Sequence, residues 1–187
     1  MFPWSHLALG YLLYVLFGRL RMGWTRTEVG AVALAFGTQM PDLDKVLAWW
    51  FGVIPNGRTL LHSMLVAFVL LSLVRWYAGP IDRRHEGDAF ALGYVSHLFG
   101  DVLYPLAVGN IPELRFLAWP VLRPVDYDHT GGFVAFFTSV DPGLIFWLEL
   151  GLTALAMGVW YSEGLPGLRV CWSRMCALVD AIRPTVG

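Results

Sequence analysis

At 187 residues the chain is long enough for one domain. It is 57% hydrophobic and 14% charged, against roughly a quarter charged in soluble globular proteins, and its mean hydropathy is +0.58. That balance excludes an ordinary water-soluble domain and points to an integral membrane protein, while a net charge of −1 gives no basic footprint for a nucleic-acid partner.

Five apolar segments follow in chain order, near residues 4–20, 26–41, 60–78, 88–108 and 143–161. A bilayer-spanning helix needs about 20 apolar residues, within a range of about 17–25. The last three segments meet that length, and the first two are short. The second, Glu28 to Met40, is expected to be tilted, re-entrant or packed inside the bundle, and Pro41 closes it by barring a continued helix. Gly79-Pro80 ends the third segment and Asp141-Pro142-Gly143 starts the fifth. Residues 109–142 form one long connection rich in Pro and Gly, of the kind that is usually functional or disordered. The pattern predicts an all-α, polytopic membrane bundle of about five apolar helices over residues 1–165, followed by a cytoplasmic tail over 166–187. The first apolar run follows no basic stretch and contains His6, so no cleavable signal peptide is expected.

If all five segments cross, the loop charges can be assigned to sides. One side receives Arg19, Arg21, Arg26, Arg75, Arg83, Arg84, Arg169, Arg174 and Arg183; the other receives Lys45, Arg58, Arg115 and Arg123. The arginine-rich side should be cytoplasmic, which puts the N-terminus outside a plasma or inner membrane and the C-terminus in the cytoplasm.

Six metal-type ligands, His6, Asp42, Asp44, His62, His97 and Asp101, then fall on the outer side. The sharpest piece is Gly93-Tyr-Val-Ser-His97-Leu-Phe-Gly-Asp101, where four-residue spacing stacks a histidine and an aspartate on one helix face. Ionisable groups at membrane depth are functional by default. Imidazole and carboxylate together suit zinc and other first-row metals. Three histidines and three aspartates exceed what one tetrahedral ion needs, so they fit two ions sharing a bridging carboxylate, for which Asp101 is the candidate. Such a site activates water for hydrolysis of a phosphoester or related ester. Taken singly, His97 with Asp101 could be a structural pair, and Pro41-Asp-Leu-Asp44 a helix terminus with capping aspartates. Convergence of four segments on one face favours the metal.

Four further groups have weaker claims. His129 lies on the same side and could complete a metal shell or touch substrate. Arg58 could hold a phosphate in a two-pronged contact. His85 falls in the arginine-rich loop on the opposite side, and Cys171 with Cys176 lacks the nearby histidines of a zinc site.

The order of motifs Trp4-Ser-His6, Pro41-Asp-Leu-Asp44, Arg58 before His62-Ser63, and the His97-x3-Asp101 helix resembles the membrane-bound metal-dependent hydrolase family typified by a LexA-regulated bacterial inner-membrane protein (YdjM-like). Phe116-Leu-Ala-Trp-Pro120 also resembles that family's Leu-Leu-Trp-Pro stretch, so the likeness covers roughly residues 4–125. The family is in turn distantly similar to the zinc-dependent phospholipase C and single-strand nuclease superfamily. Carried over, that similarity implies His6, Asp42 or Asp44, His62, His97 and Asp101 as zinc ligands and phosphoester hydrolysis, possibly of phospholipids. Two departures stand out: Gly57 replaces a histidine the family often has, and no later histidine or glutamate ligands are evident after Asp101.

The resulting expectation is a membrane-embedded metal-dependent hydrolase holding one or two divalent ions, zinc foremost, and acting on a lipid or lipid-linked phosphoester. Asp42 or Asp44 would orient the attacking water, with Arg58 at the phosphate. The alternatives are a metal-ion carrier or a non-catalytic membrane scaffold with a structural metal. Polar groups continuing toward the arginine-rich side, which a carrier would need, are thin: the fifth segment offers only Glu149 and Thr153.

Overall fold

The computed structural model describes residues 1–20, 26–125, 138 and 142–182, and every regular element among them is helical. In chain order these are α1 (Pro3–Leu20), α2 (Glu28–Gln39), α3 (Leu43–Trp49), α4 (Met64–Ala78), α5 (Arg84–Ala107), a 3₁₀ helix (Ile111–Ala118), α6 (Leu144–Ser162) and α7 (Leu168–Ile182). The all-α expectation holds.

Local chemistry sets the ends. Pro3 opens α1, where its missing N–H would be unpaired anyway. Thr27 caps α2 by accepting from the Gly30 amide at 2.8 Å. Pro41 follows the end of α2, and Gly79-Pro80 follows α4, as expected. The third apolar segment departs from its expected length. It is helical only from Met64, so α4 has 15 residues. Residues 60–63 stay out of the helix because the Leu61 and His62 amides donate to Asp44 and Ser63 caps α4 through the Leu65 and Val66 amides.

Helix α5 is central and packs on α1, α2 and α4, most extensively on α2. That contact depends on missing side chains. A Cβ on Gly37 would lie 2.1 Å from the Phe90 carbonyl oxygen, and one on Gly93 would lie 2.3 Å from that of Leu34. Gly10 of α1 faces Thr38 and Ser96 just as closely, at 2.4 and 2.9 Å. Small residues that let backbones touch are how helices associate in a membrane, where apolar burial gives little drive. Tyr11, Tyr14, Val15, Ala31, Leu34 and Ala89 fill the end of this seam that lies away from His6.

The outer surface is apolar. On α4, Met64, Phe68 and Trp76 are exposed by 60% or more, and on α6 so are Leu144, Leu148, Met157 and Tyr161. Helix α6 is 19 residues with mean hydropathy 1.5, and among the described residues only it is long and apolar enough by itself to cross a bilayer. The five-segment count is therefore not matched helix for helix.

Gly93→Ala should lower the unfolding temperature in detergent, with a loss of about 1–3 kcal/mol from overpacking. Gly151→Ala, with nothing within 4 Å of the added carbon, should leave it unchanged or slightly raise it. Thermal unfolding followed by circular dichroism checks both.

Candidate metal centre

The ligands reach one point because helix ends and one long helix deliver them. His6 comes from the first turns of α1, Asp42 from the junction after α2, His62 from the turn before α4, and His97 with Asp101 from the second half of α5. All three imidazoles are fully buried and Asp101 is 1% exposed. Gly100 makes room for His6, whose Nδ1 would lie 3.1 Å from a Cβ there.

Two imidazoles are aimed by hydrogen bonds behind them. His62 Nδ1 pairs with Asp44 Oδ2 at 3.0 Å, and His97 Nδ1 donates to the Thr38 carbonyl at 2.6 Å. Thr38's carbonyl is available because α2 stops and Pro41 prevents its continuation. Both rings therefore present Nε2 forward, as metal-binding histidines do when their other nitrogen is held.

Four atoms then face one another. His62 Nε2 and His97 Nε2 are 3.4 Å apart, Asp42 Oδ1 lies 3.8 and 3.5 Å from them, and Asp101 Oδ2 lies 3.3 and 3.7 Å away. Zinc bonds of about 2.0–2.2 Å put neighbouring corners of a tetrahedron roughly 3.3–3.6 Å apart. Five of the six separations in this set, 3.3–3.8 Å, are close to that spacing. Asp101 Oδ2 and both nitrogens of His6 are buried without a hydrogen-bond partner, which is costly unless a cation completes them. The residues fit a first-row divalent metal.

His6 stands to one side. Its Nε2 is 3.3 Å from the other Asp101 oxygen, Oδ1, and its ring stacks on His97 with centroids 3.7 Å apart. Two ligand triads can be traced, His6–His97–Asp101 and Asp42–His62–His97, and both use His97. With Nδ1 committed to Thr38, His97 has one nitrogen for one ion. Two ions would have to share Asp101, whose two oxygens face different histidines.

Asp44 lies outside this group. Its carboxylate accepts from the Thr59 and Leu61 amides at 3.0 Å, from the His62 amide at 3.3 Å, and pairs with His62 Nδ1. Its place is behind a ligand. Asp42 occupies the N-cap position of α3 but makes no side-chain cap bond, so capping does not account for it. Arg58 reaches the site, with Nη2 3.1 Å from Asp101 Oδ1. His129 falls outside the described residues.

Two contributors went unrecognised in the sequence. Lys45 sits 2.6 Å from Asp42 Oδ1 and is 7% exposed; an i,i+3 pair on one helix face was the available signal. Burial would push the Asp42 carboxyl up, but Lys45 outweighs it and holds the group below its ordinary value. Phe116 is fully buried, its ring edge-on to His62 at 5.9 Å, and Ser63 Oγ donates to the Trp119 carbonyl at 2.5 Å. The Phe116–Pro120 stretch thus braces the His62 turn. Lys45 and Arg58 also line a cavity of about 340 Å³ with apolar walls from Phe2, Trp49, Tyr104 and Ile145.

Fold and site define a helical membrane-type protein with a buried cluster of histidines and aspartates able to hold a metal ion. The chain belongs to the YdjM inner membrane protein family, whose pattern it matches over residues 1–180. No curated protein and no solved structure matches it.

Purified protein should carry a divalent ion by elemental analysis. His62→Ala, His97→Ala and Asp101→Ala should each lose it, while His6→Ala keeps one ion; equal loss in all four would put His6 in the same shell. Asp44→Asn should weaken binding about 10–100-fold through His62. Because imidazole ligands must be neutral to bind, occupancy should fall on acidification.

Proposed function

We propose that this chain is a polytopic inner-membrane hydrolase that cleaves a phosphoester in a lipid or lipid-linked substrate with a metal-activated water. The observation that carries the proposal is the unequal holding of the four corners. His62 and His97 are backed by Asp44 and by the Thr38 carbonyl, and Asp101 by Arg58, whereas Asp42 Oδ1, the oxygen that faces both imidazoles, is itself paired with Lys45 at 2.6 Å. Catalytic zinc keeps one position open, and structural zinc closes all four. A divalent ion in this place lowers the pKa of water and polarises a phosphoryl oxygen.

The chain's own groups supply the rest. Asp42 is kept ionised beside Lys45, so it accepts a hydrogen bond from the attacking water and orients it, acting as a weak base. Arg58 and Lys45 both line the cavity and pair with carboxylates of the site, so a phosphate would meet two cations there, with Glu113 and Glu149 elsewhere on the wall. The aromatic and aliphatic cavity walls suit an acyl or prenyl chain.

Membrane placement follows from the apolar surface of α4 and α6 and from the arginines. Arg19 closes α1 at the end remote from His6, and Arg84 opens α5 at the end remote from Asp101. Thirteen to seventeen residues of helix separate these arginines from the ligands, roughly 20–25 Å of rise. With the arginines cytoplasmic, the centre faces the outer leaflet. The short α4 and the small-residue seam of α1, α2 and α5 fit a bundle whose inner helices cross together.

A sealed metal in a non-catalytic scaffold is the second reading, favoured by the 3.3–3.8 Å separations among the corners and by the burial of both Asp42 oxygens. Asp42→Asn separates the two. Under the hydrolase reading it keeps the metal and loses at least about 100-fold in turnover on the substrate found by a phosphoester and lipid screen, since a positioned acid–base group contributes about 10²–10⁴-fold. Loss of metal in Asp42→Asn, with no substrate turned over by the parent, would establish the scaffold.

A further inference from the structure

We propose that α7 is an interfacial helix that lies on the anionic cytoplasmic lipid surface, its apolar stripe in the acyl boundary and its arginines at the headgroups. The proposal rests on the membrane reading above.

Helix α7 has no buried residue. Leu168, Trp172, Met175, Val179 and Ile182 recur at spacings of four and three, which places them along one face of a helix. Each is exposed by 49% or more. Arg169 and Arg174 flank this stripe on opposite sides, as snorkelling side chains do at a membrane surface. A 15-residue helix with an open apolar face is marginal in water, so something covers it.

The elbow before α7 shows where it lies. Gly164, Leu165 and Gly167 take positive φ of 80°, 59° and 91°, which breaks the chain sharply away from α6. That elbow is fastened. The Gly167 amide donates to Glu28 Oε2 at 2.6 Å, Trp160 Nε1 donates to the Pro166 carbonyl at 3.0 Å, and Glu163 takes Arg26 and Tyr11. Burial pushes the Glu163 carboxyl up and Arg26 pulls it below its ordinary value, so the pair stays charged at neutral pH. Helix α6 is long enough to cross the bilayer, so its end is at a membrane surface, and α7 departs from that point in a fixed direction. The same end carries Arg19 and Arg26. An anionic leaflet matches both the stripe and the charge.

The test uses the full chain in lipid nanodiscs, with Cys171→Ser and Cys176→Ser, and spin labels on single cysteines. Labels at Trp172→Cys, Met175→Cys and Val179→Cys should collide with oxygen, and labels at Ser173→Cys and Ala177→Cys with a water-soluble nickel chelate. Arg169→Gln with Arg174→Gln should abolish the difference between discs of phosphatidylglycerol and of phosphatidylcholine. Equal nickel access on both faces overturns the proposal. So does a stripe shielded from both reagents, which would mean that protein, such as a second copy, covers it. A label at Leu155→Cys in α6 reports the membrane itself. Oxygen access there without it in α7 sinks only this inference, whereas water access there sinks the membrane reading as well.

Discussion

Asp101 is the point on which this molecule turns. A carboxylate buried to 1% costs several kcal/mol unless its charge is answered, and here all the answers but His97 come from other parts of the chain. His6 and Arg58 meet one oxygen, and His62 and His97 meet the other. Around it, Asp42 and Asp44 bring the carboxylates to three, against Arg58, Lys45 and the Met1 ammonium, which lies 3.5 Å from Asp101 Oδ1. The charges balance, but hydrogen bonds do not satisfy every polar atom. A divalent cation would complete the orphaned His6 and Asp101 atoms.

That convergence would fail without the glycines of α2 and α5. Thr38 can reach His97 only because Gly37 and Gly93 bring the two backbones into contact. The packing seam and the metal centre are therefore one construction. At one end, aromatic and aliphatic side chains fill the seam between α1, α2 and α5. At the other, the same approach presses a backbone carbonyl against a histidine and fixes its tautomer. Changes in the seam are felt at the ligands before they unfold the bundle.

Much of this was legible in the chain. Gly-Pro and Pro signals marked where α2 and α4 end, and a four-residue spacing was enough to pair His97 with Asp101. What was not legible depended on loop conformation. Asp42 and Asp44 are two residues apart in one motif, and only the amides of residues 59–62, which gather on Asp44, decide which carboxylate goes forward and which stays behind His62. Those amides also shortened α4. Lys45 was read as a loop charge for counting sides, because its pairing with Asp42 needs α3, a seven-residue helix too short to announce itself. The stripe on α7 was visible at its own period but was overlooked in a stretch of modest apolarity.

The remaining question is why a four-cornered site would leave one corner different. A sealed structural ion gains from four equivalent, dry ligands, and a salt bridge to one of them only competes with the metal for that oxygen. Lys45 does compete, from 2.6 Å, for Asp42 Oδ1. It does so beside a cavity with apolar walls that a second cation, Arg58, also lines. A reacting water needs that asymmetry: three ligands held rigidly from behind, and a fourth group free to trade between accepting from lysine and accepting from water. The backing of His62 by Asp44 and of His97 by Thr38 supplies the rigid part, whereas Asp42 is held by Lys45 on the very oxygen that faces the imidazoles.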